Sequence, residues 1–248
     1  MTENIASKRN PSLSLEFIGC GNSTSKELGN STAILEINGK ASLAIDFGFT
    51  SYHSYKERYN GLPDAIYITH IHLDHIGGLQ SLFYDAHFNR DKPIKLFIHH
   101  SQVSGLHHIM GNLPNIVAEE AVNFYDAFQL IPVEDEFWFE SIKFTVTKAR
   151  HHSPNFCHGI GVKGRFFYTG DTKPIPEELL YHASQNEIIF HDLSTFEQPS
   201  HTFLSELDAY PPHLLERMCF YHLHSSDDIK KAEQEGYLCA RLGVRYCV

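Results

Sequence analysis

The run Thr69-His70-Ile71-His72-Leu73-Asp74-His75-Ile76-Gly77-Gly78 sets four metal-binding side chains at alternating and then adjacent positions. In an extended segment, residues two apart project to the same side. His70 and His72 can therefore grip one ion together. Asp74 and His75 are neighbours, so they diverge and can reach a second position beyond it. Gly77 and Gly78 let the backbone turn tightly into a helix. Imidazole nitrogen and carboxylate oxygen are ligands for zinc, and also for manganese or iron. The chain carries 18 histidines in 248 residues, some in pairs (His99-His100, His107-His108, His151-His152), so chance motifs arise easily. Spacing and context, rather than number, carry the argument.

Ligands drawn from distant sequence must be brought together by regular elements. Strand-like runs cover 65–69, 142–148, 165–169, 187–190 and 218–222, and helix-like runs cover 75–85, 101–110, 118–127 and 211–217. Polar clusters stand at or just after the strand ends: His70–His75, then His151 and His152, then Asp171, then His222. Strand ends converging on one edge are how an α/β scaffold builds a site. Strands dominate the first part and helices are interleaved later, which fits two packed sheets with helices outside.

The length suffices for one full-sized core, read as a single domain over residues 1–248. Net charge is −10 with histidine neutral, which argues against a broad grip on a nucleic-acid backbone. Five cysteines, widely spaced and without a CxxC pair, speak against a disulfide framework and for a reducing compartment. Residues 1–12 lack the apolar core of a signal peptide. No stretch approaches the ~18 apolar residues of a membrane span. A cytoplasmic protein without membrane contact is expected.

The chain resembles the metallo-β-lactamase superfamily, which carries HxHxDH after a strand; Thr69–Gly78 matches that pattern. The resemblance implies an α/β, four-layer αβ/βα sandwich. It implies further ligands, each after a strand. His152-Ser153-Pro154 fits the third position, with His151 as the alternative. Tyr168-Thr169-Gly170-Asp171-Thr172 fits the bridging aspartate, Asp171. Phe220-Tyr221-His222-Leu223-His224 supplies the last, His222, with His224 as the alternative. His70, His72 and His152 would hold one ion, and Asp74, His75 and His222 the other. Two divalent ions are implied, zinc by expectation, with manganese or iron as alternatives.

Gly19-Cys20-Gly21, Asp46-Phe47-Gly48 and Phe190-His191-Asp192-Leu193-Ser194-Thr195 are similar to the branch containing ribonuclease Z and related phosphodiesterases. There the comparable run is His-Glu-Ala-Thr, whose histidine helps protonate the leaving group. The carry-over makes His191 the general acid, braced by Asp192, unless His191 instead supports a ligand from behind. Asp74 would orient the hydroxide held between the ions. Asp46 is read as a hydrogen-bond partner of the motif loop. Bacterial ribonuclease Z carries a long tRNA-grasping arm between its third histidine and bridging aspartate; here there is room for one hairpin. The reading is therefore a phosphodiesterase acting on a small phosphodiester such as a cyclic nucleotide, with extended nucleic acid disfavoured and a homodimer expected. A lactonase or thioesterase, and a ribonuclease Z-like endonuclease acting on RNA 3′ ends, are the competing functions.

Overall fold

The computed structural model describes residues 10–111, 122–151, 157–183 and 186–248. Two seven-stranded mixed sheets face one another. The first runs β14-β1-β2-β3-β4-β5-β6. Its strands are β1 (Leu13–Gly19), β2 (Thr32–Ile37), β3 (Lys40–Ile45), β4 (Ala65–Ile68), β5 (Ile94–His99), β6 (Phe128–Val133) and β14 (Arg245–Cys247). The second runs β13-β12-β11-β10-β9-β8-β7. It is built from β7 (Glu136–Phe139), β8 (Ile142–Lys148), β9 (His158–Val162), β10 (Phe166–Tyr168), β11 (Ile188–Asp192), β12 (Met218–Tyr221) and β13 (Leu238–Cys239). Strands β3 to β6 are mutually parallel, as are β10 to β13. Each parallel set therefore ends on a single edge.

The apolar patterns explain the layers. All four residues of β4 are buried, as expected for an inner parallel strand covered on both faces. Tyr67 joins the core between the sheets, while Ile66 and Ile68 join the core under the helices. Phe17, Phe144, Phe166, Tyr168, Phe190 and Tyr221 fill the space between the sheets. Full burial of a phenylalanine there contributes roughly 1.5–3 kcal/mol. Helix α1 (Ser51–Tyr59), α3 (Leu79–Asn89), α4 (Val103–Met110) and α5 (Phe124–Ala127) cover the outer face of the first sheet. In α3 the buried residues Leu79, Leu82, Phe83 and Ala86 recur at helical spacing and make one stripe. Helices α6 (Pro176–His182), α7 (Pro212–Leu215) and α8 (Ser226–Gln234) add Leu179, Leu214, Ile229 and Ala232 to the core of the second. The helix–sheet–sheet–helix order is the expected four-layer sandwich.

Two differences from the sequence reading bear on the site. The helix expected over 75–85 is two helices, α2 (Leu73–Ile76) and α3, separated by Gly77-Gly78. The chain breaks there because it passes against the end of β3: Gly78 N–H donates to Phe47 O (2.9 Å), and a Cβ on Gly78 would meet Gly48 O at 2.3 Å. The strand expected to stop at Phe190 runs on to Asp192. Residues 191 and 192 therefore alternate across a sheet instead of sharing a loop. Strands β13 and β14 were not anticipated at all.

Candidate metal centre

Ligand-type atoms from both sheets converge at the shared edge. Around the first position stand His70 Nε2, His72 Nδ1, His151 Nε2 and Asp171. His72 Nδ1 is 2.9 Å from His70 Nε2 and 3.1 Å from His151 Nε2, and Asp171 Oδ2 is 3.6 and 3.8 Å from those two nitrogens. Around the second stand Asp74, His75, Asp171 and His222. There Asp74 Oδ2 and Asp171 Oδ2 lie 3.3–3.4 Å from His75 Nε2 and His222 Nε2. Four donors on bonds of ~2.0–2.1 Å around a tetrahedral ion would be about 3.3 Å apart. Asp171 Oδ2 belongs to both groups, which is the requirement for a bridge.

The outer hydrogen bonds show which way the rings present their lone pairs. Thr69 Oγ1 donates to Asp46 Oδ2 (2.8 Å), so its contact with His70 Nδ1 (3.1 Å) makes that nitrogen the donor. His75 Nδ1–H donates to Asp46 Oδ2 (2.8 Å) and His151 Nδ1–H to Ser200 O (2.9 Å). His222 Nδ1 faces Asp192 Oδ1 at 3.4 Å. Each of these rings turns Nε2 inward. His75 Nε2 and Asp171 Oδ1 are buried without a hydrogen-bond partner. The residues fit a pair of divalent ions. Two ligand-side residues hold left-handed backbone, Asp46 (φ 61°) and His222 (φ 70°), a strain that recurs at functional sites.

Burial lowers His70 and His151, and takes His72 down to about 4, so these rings are neutral. For His75 and His222 burial acts the same way but the carboxylates prevail. Asp171, Asp74 and Asp46 raise His75, and Asp171, Asp192 and Asp74 carry His222 to about 10. Burial works against ionisation of Asp74 and Asp171, yet the neighbouring histidines hold both well below the usual range. Without an ion, His75 and His222 keep their protons. Metal uptake must displace them and weakens in acid.

Asp46 accepts from Thr69 N (2.7 Å), Thr69 Oγ1 and His75 Nδ1, and so fixes the loop and one ligand ring together. Asp46→Asn retains the left-handed backbone but loses an acceptor. It is expected to weaken metal binding by about 10–100-fold, read by competition against a chromogenic chelator.

The structure brings together His70, His72, Asp74, His75, Asp171, His222 and Asp192. His152 lies outside the described residues, and the neighbouring His151 stands at the place expected of the third motif. His224 is exposed and contacts Thr24 Oγ1 (3.1 Å) away from the cluster. The assignment of His191 as general acid is corrected. Its Nδ1–H donates to Asp192 O (2.7 Å) and its Nε2 meets Tyr210 Oη (2.6 Å), which itself accepts from Ile175 N–H. Strand alternation directs Asp192 into the site and His191 away from it. Asp192 instead braces His201, whose Nδ1 lies 2.9 Å from Asp192 Oδ2 and 3.9 Å from Asp171 Oδ2. The His201 ring stacks on His222 at 4.9 Å and meets His151 edge-on at 5.0 Å. Sequence reasoning missed His201 because it follows no strand. The signal was Gln198-Pro199-Ser200, a turn that folds the loop back so that Ser194 N–H donates to Thr202 O (2.8 Å). Of the basic residues flanking the third motif, Arg150 binds Glu177 and Pro174 O, and Arg165 binds Pro11 O and Val248 O.

The sandwich and the paired ligand sets define a metallo-β-lactamase fold. A diphosphatase from the PhnP family superposes with a TM-score of 0.76 at 17% identity, over 95% of this chain and 98% of that one. The metallo-beta-lactamase fold protein YhfI from Bacillus subtilis gives 0.74 at 15%, over 94% and 99%. The short form of human tRNase Z gives 0.70 at 16%, over 95% and 99%. The chain belongs to the family of Anti-Pycsar protein Apyc1, whose model matches residues 13–240. Relatives of that name include one from Paenibacillus harenae, 27% identical over 222 residues (86% of this chain, 91% of the relative). Another is from Bacillus phage BSP38, 28% identical over 230 residues (80% and 83%). The chain is a metal-dependent hydrolase of the phosphodiesterase type.

Proposed function

We propose that the substrate is a nucleoside cyclic monophosphate, cleaved by water at its ring phosphodiester, with the site residues acting as follows. One observation carries the reading: Asp171 Oδ2 lies 3.3–3.9 Å from ring nitrogens of His70, His75, His151, His201 and His222. Membership of a cyclic-nucleotide-degrading family supports it. His70, His72, His151 and Asp171 would hold one ion, and Asp74, His75, His222 and Asp171 the other. Zinc suits this nitrogen-rich set, as would manganese or iron. When bound, such ions supply positive charge at the phosphoryl oxygens and acidify water.

Asp74 also orients the attacking water. The water oxygen joins phosphorus and releases one proton to solvent, the bond from phosphorus to a ribose oxygen breaks, and that oxygen takes a proton from His201, which solvent then restores. Burial lowers His201, but Asp192 and Asp171 raise it above its ordinary value, which favours the protonated, donating form. Its contribution is lost as pH rises through that raised value. A homodimer and a cytoplasmic setting belong to the same reading, the latter supported by free cysteines. Among the described residues no helix is long and apolar enough to cross a membrane.

The test is turnover of a 3′,5′-cyclic nucleotide by metal-loaded protein beside a lactone and a thioester. Brisk lactone or thioester cleavage with an untouched cyclic nucleotide would reject the reading. His201→Gln is expected to slow cyclic-nucleotide hydrolysis by about 10²–10⁴-fold. Hydrolysis of bis(p-nitrophenyl) phosphate, whose leaving group needs no proton, should fall far less. Equal losses on both substrates would remove His201 from the proton-donor role.

A further inference from the structure

His201 stands on a loop rather than a strand, so something other than sheet pairing must fix it. The loop closes at its base, where Ser194 bridges to Phe203 and Ser194 N–H donates to Thr202 O (2.8 Å). Nearer to His201, two side chains from elsewhere hold the loop's backbone. His151 Nδ1–H donates to Ser200 O (2.9 Å), and the Lys173 ammonium donates to Gln198 O (3.0 Å). The first is a ligand of the metal centre. The second has no part in the chemistry assigned so far.

Lys173 Nζ also meets Glu206 Oε2 (2.7 Å), an oxygen that accepts from Phe203 N–H (2.9 Å). One ammonium therefore ties residue 198 to residue 206, on either side of His201. Its own backbone belongs to the frame of the metal centre. Lys173 follows Asp171 by two residues, and its N–H donates to Arg150 O (2.7 Å), next to His151. Thr172, between Asp171 and Lys173, gives its N–H to Asp192 Oδ2 (2.8 Å) and accepts from Thr202 Oγ1 at its carbonyl (2.7 Å). Asp192 Oδ2 is the atom that faces His201 Nδ1 at 2.9 Å. The Thr172-Lys173 pair thus reaches the carboxylate behind His201, its chain neighbour and the far side of its loop. Burial works against ionisation of Glu206, yet Lys173 and Phe203 N–H hold it below the usual carboxylate range. The Lys173 and Glu206 side chains are 25% and 34% exposed, and an ion pair that open adds little to stability. What it can do is fix a position.

We propose that Lys173 is a positioning residue for the reaction: it sets where His201 stands against the leaving oxygen, and it touches neither substrate nor ion. This rests on the reading of His201 as the proton donor. Proton transfer requires the donor within hydrogen-bond reach of the leaving oxygen. A displacement of about 1 Å at a reacting group can cost about 10²-fold in rate. Loss of the Lys173 tether therefore falls on departure of the leaving group, and leaves metal uptake and attack by water in place.

The test compares Lys173→Met with the parent, both metal-loaded and full length. The variant is expected to keep its metal content and denaturation midpoint. Its kcat for a 3′,5′-cyclic nucleotide should fall about tenfold or more with KM nearly unchanged. Its rate on bis(p-nitrophenyl) phosphate, whose leaving group needs no proton, should fall by less than about twofold. A purely structural role would lower both rates together, and that result, or an unchanged kcat, would overturn the proposal. Lys173→Arg, whose fork can reach a carbonyl and a carboxylate at once, is expected to recover most of the lost rate. A rate as low as that of Lys173→Met would count against the tether. In the His201→Gln background, Lys173→Met should cost nothing further, since the residue it positions is gone. Multiplying losses would overturn the proposal. A silent Lys173→Met beside a His201→Gln that is slow on the cyclic nucleotide alone would reject the tether and retain the donor. A His201→Gln without that selectivity would reject the donor itself.

Discussion

Asp171→Ala is expected to hydrolyse its diester at least about 10³-fold more slowly and to bind less than one ion per chain. The side chain is 1% exposed, and its Oδ2 is the one atom common to both ligand groups. Its loss removes the anion that offsets the charge of two neighbouring ions. Five histidine nitrogens then face one another, with Asp74 the one carboxylate left in the two ligand groups. The fold should persist, since Asp171 adds no apolar surface to the core. The check is metal content by plasma emission beside steady-state rates, with Asp171→Asn as the isosteric comparison. A variant that kept two ions and a rate within tenfold would remove the bridging role.

Gly48→Ala should damage the site without touching a ligand. A Cβ at residue 48 would lie 2.0 Å from Asp74 O and 2.5 Å from Asn30 Cβ. The first is backbone of the metal motif, and Phe47 N–H already donates to His75 O there (2.6 Å). The motif must move, and overpacking of this kind costs about 3 kcal/mol. The second ion should be lost before the first, because Asp74 and His75 are the residues displaced. Gly61→Ala is the control: its Cβ would find only Tyr59 O, at 3.8 Å. A shifted denaturation midpoint for Gly48→Ala alone, with a falling metal ratio, is the expected outcome. Equal stability of the two variants would show that the strand end can yield.

The first motif was legible in the sequence because everything it needs is local. An apolar strand, alternating histidines and two glycines specify a loop whose side chains point predictably. Asp171 and His222 were legible for the same reason, each standing at the end of an apolar run. His191 misled because apolarity stops at Phe190 while backbone pairing continues: His191 is paired with Phe220 and Asp192 with Tyr221. Hydrogen bonding to β12, rather than residue type, decides which of the two side chains enters the site. His201 was illegible because a returning loop positions it, through contacts with residues far away, such as Thr202 Oγ1 donating to Thr172 O (2.7 Å). Strands β13 and β14 span only two and three residues, too short for a period to show. The alternation in β7 was plain by contrast, with Phe137 and Phe139 inside and Trp138 exposed.

Each ion site draws on both sheets. His70, His72, Asp74 and His75 follow β4, whereas His151, Asp171 and His222 follow β8, β10 and β12. Asp74 and His222 are separated by 148 positions. No half of the molecule alone holds a complete ligand set, and closing so long a loop is slow compared with local structure formation. During synthesis the four motif ligands emerge first and wait for their partners. Ions bound at this edge would clasp two halves that the shared apolar core already joins, and their binding energy would add to the stability of the assembled sandwich.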